Sequence, residues 1–155
     1  MRTVERITHS KEETMELAEK LVSLLPNGVT LTFAGDLGAG KTTFVRGLAK
    51  GLNIKEVVQS PTFNIMKIYL KGDRPLIHID AYRLADINSD IGLDEYIGYE
   101  TGLTVIEWPE FIERLIPKDR IEITILNIGG DNRSINIKCE NAKVLEDIKQ
   151  CLSSF

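Results

Sequence analysis

The sequence predicts an α/β fold of three layers, in which helices flank a mostly parallel central sheet and an antiparallel hairpin lies near the C-terminus. Three observations carry that expectation. Val29-Thr30-Leu31-Thr32-Phe33-Ala34 alternates as a strand does, and a glycine-rich turn follows at once. Beyond the turn, Val45, Leu48, Ala49 and Leu52 recur at helical spacing. Two further apolar runs, residues 76–79 and 103–106, each end in an acid, and ligands of open α/β sheets collect at such strand ends.

Length and composition fit one ordinary globular domain. The chain has 155 residues, of which 43% are hydrophobic and 27% charged, enough to bury a substantial core. A net charge of −4 argues against a broad non-specific nucleic-acid surface while leaving room for a local basic patch. Cys139 and Cys151 form no CxxC or Cys/His pattern, so they read as packed thiols of a reducing compartment and not as a disulfide or zinc framework. The first residues lack a signal-peptide core, and no stretch approaches the ~20 apolar residues of a membrane span. The expected location is the cytoplasm.

Along the chain, Ser10-Lys11-Glu12-Glu13 reads as a capping box. It opens a helix whose apolar face is Ala18, Leu21, Val22 and Leu25, and Pro26-Asn27-Gly28 ends that helix. The helix after the glycine-rich turn stops near Gly51. Residues 57–62 read as a short strand and turn, residues 63–70 as extended, and residues 71–75 as a hairpin turn. Residues 84–102 are acidic and mixed, with helix expected only at residues 90–97; the acids there read as a solvated face. Pro109 suits the first turn of a short helix. Residues 121–128 and 134–139 alternate on either side of Gly129-Gly130-Asp131-Asn132, as an antiparallel hairpin would. Val144, Ile148, Cys151 and Leu152 mark a closing helix.

The chemistry begins at Gly35-Asp36-Leu37-Gly38-Ala39-Gly40-Lys41-Thr42-Thr43, which matches the phosphate-binding loop pattern. Glycines let backbone N–H groups approach phosphate oxygens, Lys41 reaches the terminal phosphates, and the Thr42 hydroxyl suits Mg²⁺. The strand, loop and helix stand in the order that a P-loop nucleotide-binding fold requires. Such a site needs a second acidic group on a neighbouring strand, and Asp80 and Glu107 share the same local setting. Spacing does not say which acid holds Mg²⁺ and which orients water. No Asn/Thr-Lys-x-Asp base signature of regulatory GTPases occurs, which favours ATP over GTP.

Other candidates are weighed against plainer roles. Thr62, beside Pro61, is either a switch-type Thr sensing the γ-phosphate or a turn residue. Arg83 either balances transition-state charge or lies solvated on a loop. Trp108 either lines the site, stacks on a partner or packs. His78 is either a core or sheet-surface residue or a catalytic base, with the plainer role favoured within a strand, and Arg133 reads as a hairpin residue.

Four motifs in this order resemble the TsaE (YjeE) family of bacterial ATPases: the phosphate loop, Ser60-Pro61-Thr62-Phe63, His78-Ile79-Asp80-Ala81-Tyr82-Arg83-Leu84 and Glu107-Trp108-Pro109-Glu110. The resemblance runs from Ser10 to Pro109, with the hairpin and last helix alike only in pattern. Ala81 departs from the Leu expected there. The resemblance implies ATP hydrolysis in the machinery that makes threonylcarbamoyladenosine on ANN-decoding tRNAs, alongside TsaD and TsaB homologues. That role resets the complex and does not transfer the threonylcarbamoyl group. The resemblance also assigns Glu107, with Thr42, to Mg²⁺ and Asp80 to hydrolysis. It further suggests an adenine contact near Ser10 and a switch or partner-coupling role for Thr62, Tyr82, Arg83 and Trp108. The rivals are a small-molecule kinase, for which the chain lacks an Arg-rich lid, and a nucleotide-sensing scaffold that barely hydrolyses ATP.

Overall fold

The computed structural model describes residues 2–35, 38–61, 64–86 and 92–155. Asp36, Leu37 and Thr62, and the start of the helix expected at residue 90, lie outside the described residues. Seven strands form one sheet: β1 (Arg2–Thr8), β2 (Thr30–Gly35), β3 (Met66–Tyr69), β4 (Leu76–Asp80), β5 (Leu103–Glu107), β6 (Ile121–Gly129) and β7 (Asn132–Cys139). Their order across the sheet is β1-β7-β6-β2-β5-β4-β3.

The four central strands β6, β2, β5 and β4 are mutually parallel. The pairs β1–β7, β6–β7 and β3–β4 are antiparallel: the centre is parallel as expected, and β6–β7 and β3–β4 are the hairpins that the turns at 129–132 and 71–75 predict. Only β1 adds an edge that no sequence signal announced. Arg2-Thr3-Val4-Glu5-Arg6-Ile7-Thr8 alternates weakly and carries three charges. An edge strand is free to do so because only one of its ladders must be satisfied. The short strand expected at residues 57–62 is irregular over 57–61, and the extended stretch at 63–70 narrows to β3.

Three α-helices follow their sequence signals: α1 (Lys11–Leu21), α2 (Lys41–Gly51) and α3 (Ala142–Ser153). Ser10 Oγ accepts from the Glu13 N–H at 3.0 Å, and Asn141 Oδ1 accepts from Lys143 and Val144 N–H at 3.1 Å. Each cap thus satisfies otherwise orphaned helix donors. Helices α1 and α2 pack closely because Gly47 has no side chain; a Cβ there would lie 2.3 Å from the Met15 carbonyl oxygen.

One core joins the three helices to the sheet through Leu17, Leu21, Phe44, Leu48, Leu31, Phe33 and Ile148, all within 2% exposure. A second core fills the opposite face with Ile77, Ile79, Ile106 and Ile112. Short 3₁₀ segments at Tyr82–Asp86, Leu93–Glu95 and Pro109–Leu115 cover it, where the sequence predicted a helix over 90–97. Each buried aliphatic side chain contributes roughly 1.5–3 kcal/mol, so the two cores hold the central strand ends rigidly from both sides. Among the described residues, no helix is long and apolar enough to cross a membrane.

Candidate functional site

The parallel strands β2, β4 and β5 deliver their C-terminal ends to one side of the sheet, and the site is built there. At the end of β2, Gly35 (φ 134°) runs so close to β6 that a Cβ would sit 2.0 Å from the Ile125 carbonyl oxygen. Gly38 and Gly40 also have positive φ, and Gly40 is the N-cap of α2 with no capping side chain. The open N–H groups of the first turn therefore face outward with the positive end of the helix dipole, an arrangement suited to anions. No described atom lies within 4 Å of where a Gly38 Cβ would stand, so the loop backbone is open to a ligand.

Lys41 occupies the first position of α2 and is only 7% exposed. Its Nζ lies 5.1 Å from the centroid of the Trp108 ring and 3.4 Å from the Gly35 carbonyl oxygen. It makes no ion pair among the described residues. A nearly buried ammonium beside a ring face and a carbonyl, with no carboxylate paired to it among the described residues, is poised to take an anion.

Asp80 and Glu107 are register partners across β4 and β5, so both carboxylates leave the sheet on the same face. They are 4% and 5% exposed. Ser60 Oγ lies 3.2 Å from Asp80 Oδ2 and 3.4 Å from Glu107 Oε2, bridging the two acids. Asp80 Oδ1 accepts from the Tyr82 N–H at 3.0 Å, and Glu107 Oε2 lies 2.8 Å from His78 Nε2.

These groups share a cavity of about 680 Å³, a size typical of small-molecule sites. It is lined by Gly38, Gly40, Lys41, Thr42 and Thr43 of the phosphate loop and by Ser60, Asp80 and Glu107. Tyr82 and Trp108 also line it, with ring centroids 5.1 Å apart. Lys11, Thr14, Asp131 and Arg133 complete the lining. The oxygens of Thr42, Asp80 and Glu107 are hard donors suited to a small divalent cation. Among the described residues no cluster of three or more His, Cys, Asp or Glu could cage a metal alone. A cation here would share its shell with water and a phosphate ligand, which is the habit of Mg²⁺.

A family model described as threonylcarbamoyl adenosine biosynthesis protein TsaE matches residues 8–135. The chain belongs to the TsaE family. The tRNA threonylcarbamoyladenosine biosynthesis protein TsaE of Bacillus subtilis is 45% identical over 128 residues, spanning 83% of this chain and 80% of that protein. Its counterpart from Treponema pallidum is 39% identical over 133 residues, spanning 84% and 97%. The crystal structure of Bacillus subtilis YdiB matches with a TM-score of 0.80 at 35% identity, over 99% of this chain and 95% of that one. The TsaE match continues past Pro109 into β7, so it takes in the hairpin that resembled the family only in pattern.

Within this TsaE-family fold, Lys41, Thr42, Thr43, Asp80, Glu107, Tyr82 and Trp108 come together around one cavity. Asp36, Leu37 and Thr62 lie outside the described residues, and Ala39 is buried beneath the loop. Ser10 is not on the cavity wall; its hydroxyl accepts from Glu13 N–H, while Lys11 and Thr14, one and four residues on, line the cavity. Arg83 is exposed and stands away from the wall.

Arg133 is the main wall residue that sequence patterning underrated. Its Nε donates to the Ala39 carbonyl at 2.7 Å, and Nη1 donates to the Gly130 and Asn132 carbonyls at 2.8 and 2.9 Å. It ties the hairpin turn to the phosphate loop from 94 residues away. His78 and Ser60 also stand at the acids, where Ser60 lies between Asp80 and Glu107 and His78 against Glu107. Only the strand period, which puts His78 on the same face as Asp80, pointed that way.

Proposed function

We propose that the chain is a Mg²⁺-dependent ATPase required for the threonylcarbamoyladenosine modification of ANN-decoding tRNAs, and that it acts on a complex of TsaB and TsaD homologues. The observation that carries the ATPase reading is the nearly buried Lys41 at the head of α2, without an ion pair among the described residues, lining one cavity with the register-paired acids Asp80 and Glu107. A cation site beside an anion site, both on rigid strand and helix ends, suits a metal–triphosphate ligand. Similarity to the TsaE proteins of threonylcarbamoyladenosine biosynthesis supports the tRNA-modification role.

In this reading Gly35 to Thr43 cradle the phosphates, with Lys41 neutralising the terminal ones. Thr42 and Glu107 would hold Mg²⁺, whose charge would offset the negative charge that develops on the phosphates. Asp80, held by the Tyr82 N–H and Ser60, orients water for attack on the γ-phosphorus; the new P–O bond forms as the bond to the β-phosphate oxygen breaks. Thr62, Tyr82, Arg83 and Trp108 couple nucleotide state to the partner surface. Tyr82 is 54% exposed while lining the cavity, which suits a residue read from both sides. The chain works as a single domain in the cytoplasm, with low turnover alone, and tRNA is the substrate of the whole complex.

The test is phosphate release from ATP with and without the TsaB–TsaD complex. Release that rises on adding the complex is expected. Equal, negligible rates in both would sink the role of an ATPase that acts on the complex, and phosphate transfer to a small acceptor would point to a kinase instead.

A further inference from the structure

His78 is fully buried, at 0% exposure, on the central strand that ends in Asp80. Its Nε2 lies 2.8 Å from Glu107 Oε2, while Nδ1 is buried with no hydrogen-bond partner among the described residues. These two facts select one form of the ring. A proton on Nδ1 would bury an unpaired N–H, and a bare Nε2 would set its lone pair against a carboxylate oxygen. The neutral ring with its proton on Nε2 avoids both, so His78 donates to Glu107. Ser60 engages the same oxygen and bridges to Asp80, whereas Glu107 Oε1 has no hydrogen-bond partner among the described residues.

We propose that His78 is a positioning residue for the metal–nucleotide site: its Nε2–H pins Glu107 Oε2 from below and so presents Oε1 to the cation in the cavity. This rests on the reading of Glu107 as a Mg²⁺ ligand. A carboxylate on a flexible stem must otherwise be ordered at the moment of binding, and the buried donor removes that cost in advance. Partners that orient metal ligands typically contribute about 10- to 100-fold in metal affinity or activity. The ring's position in the strand also explains why a polar residue occupies a place otherwise suited to an aliphatic one.

The experiment is calorimetric titration of ADP into the nucleotide-free protein, once with Mg²⁺ and once with EDTA, alongside thermal unfolding without nucleotide. The variants are His78→Leu, His78→Gln and His78→Asn. Glutamine carries its amide N–H₂ to about the place of Nε2; asparagine reaches only as far as Nδ1. Replacement by Leu or Asn is expected to lower ADP affinity about 10- to 100-fold in Mg²⁺ and to leave affinity in EDTA within about twofold. Replacement by Gln is expected to restore most of the Mg²⁺-dependent gain. Should the Leu variant not fold, the Gln–Asn contrast carries the same comparison between two polar side chains. Losses equal in Mg²⁺ and EDTA, or Gln and Asn behaving alike, would overturn the positioning role and leave a packing role. A wild-type protein whose ADP affinity ignores Mg²⁺ would overturn the metal-site reading itself, and the positioning role with it.

Discussion

Gly35 and Trp108 stand beside the site in backbone conformations that most side chains avoid. Gly35, at φ 134°, where a Cβ would lie 2.0 Å from the Ile125 carbonyl oxygen, tolerates no side chain; Gly35→Ala is expected to cost about 3 kcal/mol or more by urea unfolding, through overpacking together with backbone strain. Trp108 adopts φ 58° and ψ 51°, a conformation costing on the order of 1–3 kcal/mol for a non-glycine residue. Its ring stacks near Phe111 and Tyr82 and covers the Lys41 ammonium, and those contacts offset the strain. The acids are separable at the same scale. Glu107→Ala is expected to weaken Mg²⁺-dependent ADP binding at least about tenfold, ~1.4 kcal/mol, while Asp80→Ala chiefly slows phosphate release. The reverse ranking, read by calorimetry and single-turnover kinetics, would exchange their roles.

At the scale of elements, the N-terminus of α1 and the β6–β7 hairpin act as fittings for the phosphate loop. Ser10 was a candidate adenine contact on resemblance, yet its hydroxyl caps α1. Ser10→Ala is therefore expected to lower stability by about 1 kcal/mol with nucleotide affinity within about twofold, and a larger affinity loss would restore the contact. Arg133 behaves differently. Its forked hydrogen bonds hold the loop carbonyl of Ala39 and the turn carbonyls together, so Arg133→Ala should weaken nucleotide binding about tenfold. Arg133→Lys should not restore it, because an ammonium cannot reproduce the planar fork. Capping and periodicity made all three α-helices legible, since both are local. The 3₁₀ segments over the second core were less so: their side chains are placed by Ile77, Ile79 and Ile106 beneath them, which no short window of sequence displays.

For the whole molecule, the sheet sets both stability and reactivity. Cys139, 2% exposed in the first core, has its thiol pKa pushed above the ordinary value, chiefly by burial. The unfolded chain ionises this thiol at lower pH than the folded one. The resulting contribution is fully present below the ordinary thiol pKa and is lost as pH rises through the raised value. Maleimide labelling should accordingly modify half-buried Cys151 first, and Cys139 should react only as fast as the protein opens; equal rates would contradict the buried setting. The antiparallel flanks matter for the same architecture. Strand β1 closes the edge beyond β7, and β7 carries Arg133 to the phosphate loop.

By itself the sequence determined the α/β class, the phosphate loop, the three α-helices, the hairpin and the pair of acids, because each rests on residues adjacent in the chain or repeating at a fixed period. The tertiary structure alone decided that Asp80 and Glu107 are register partners joined by Ser60. It also decided that His78 lies beneath Glu107 and that Arg133 reaches the loop. Those facts depend on strand order and register, set by which hydrophobic faces pack together across the sheet, and residues 29, 47 and 94 positions apart meet only once that packing is complete.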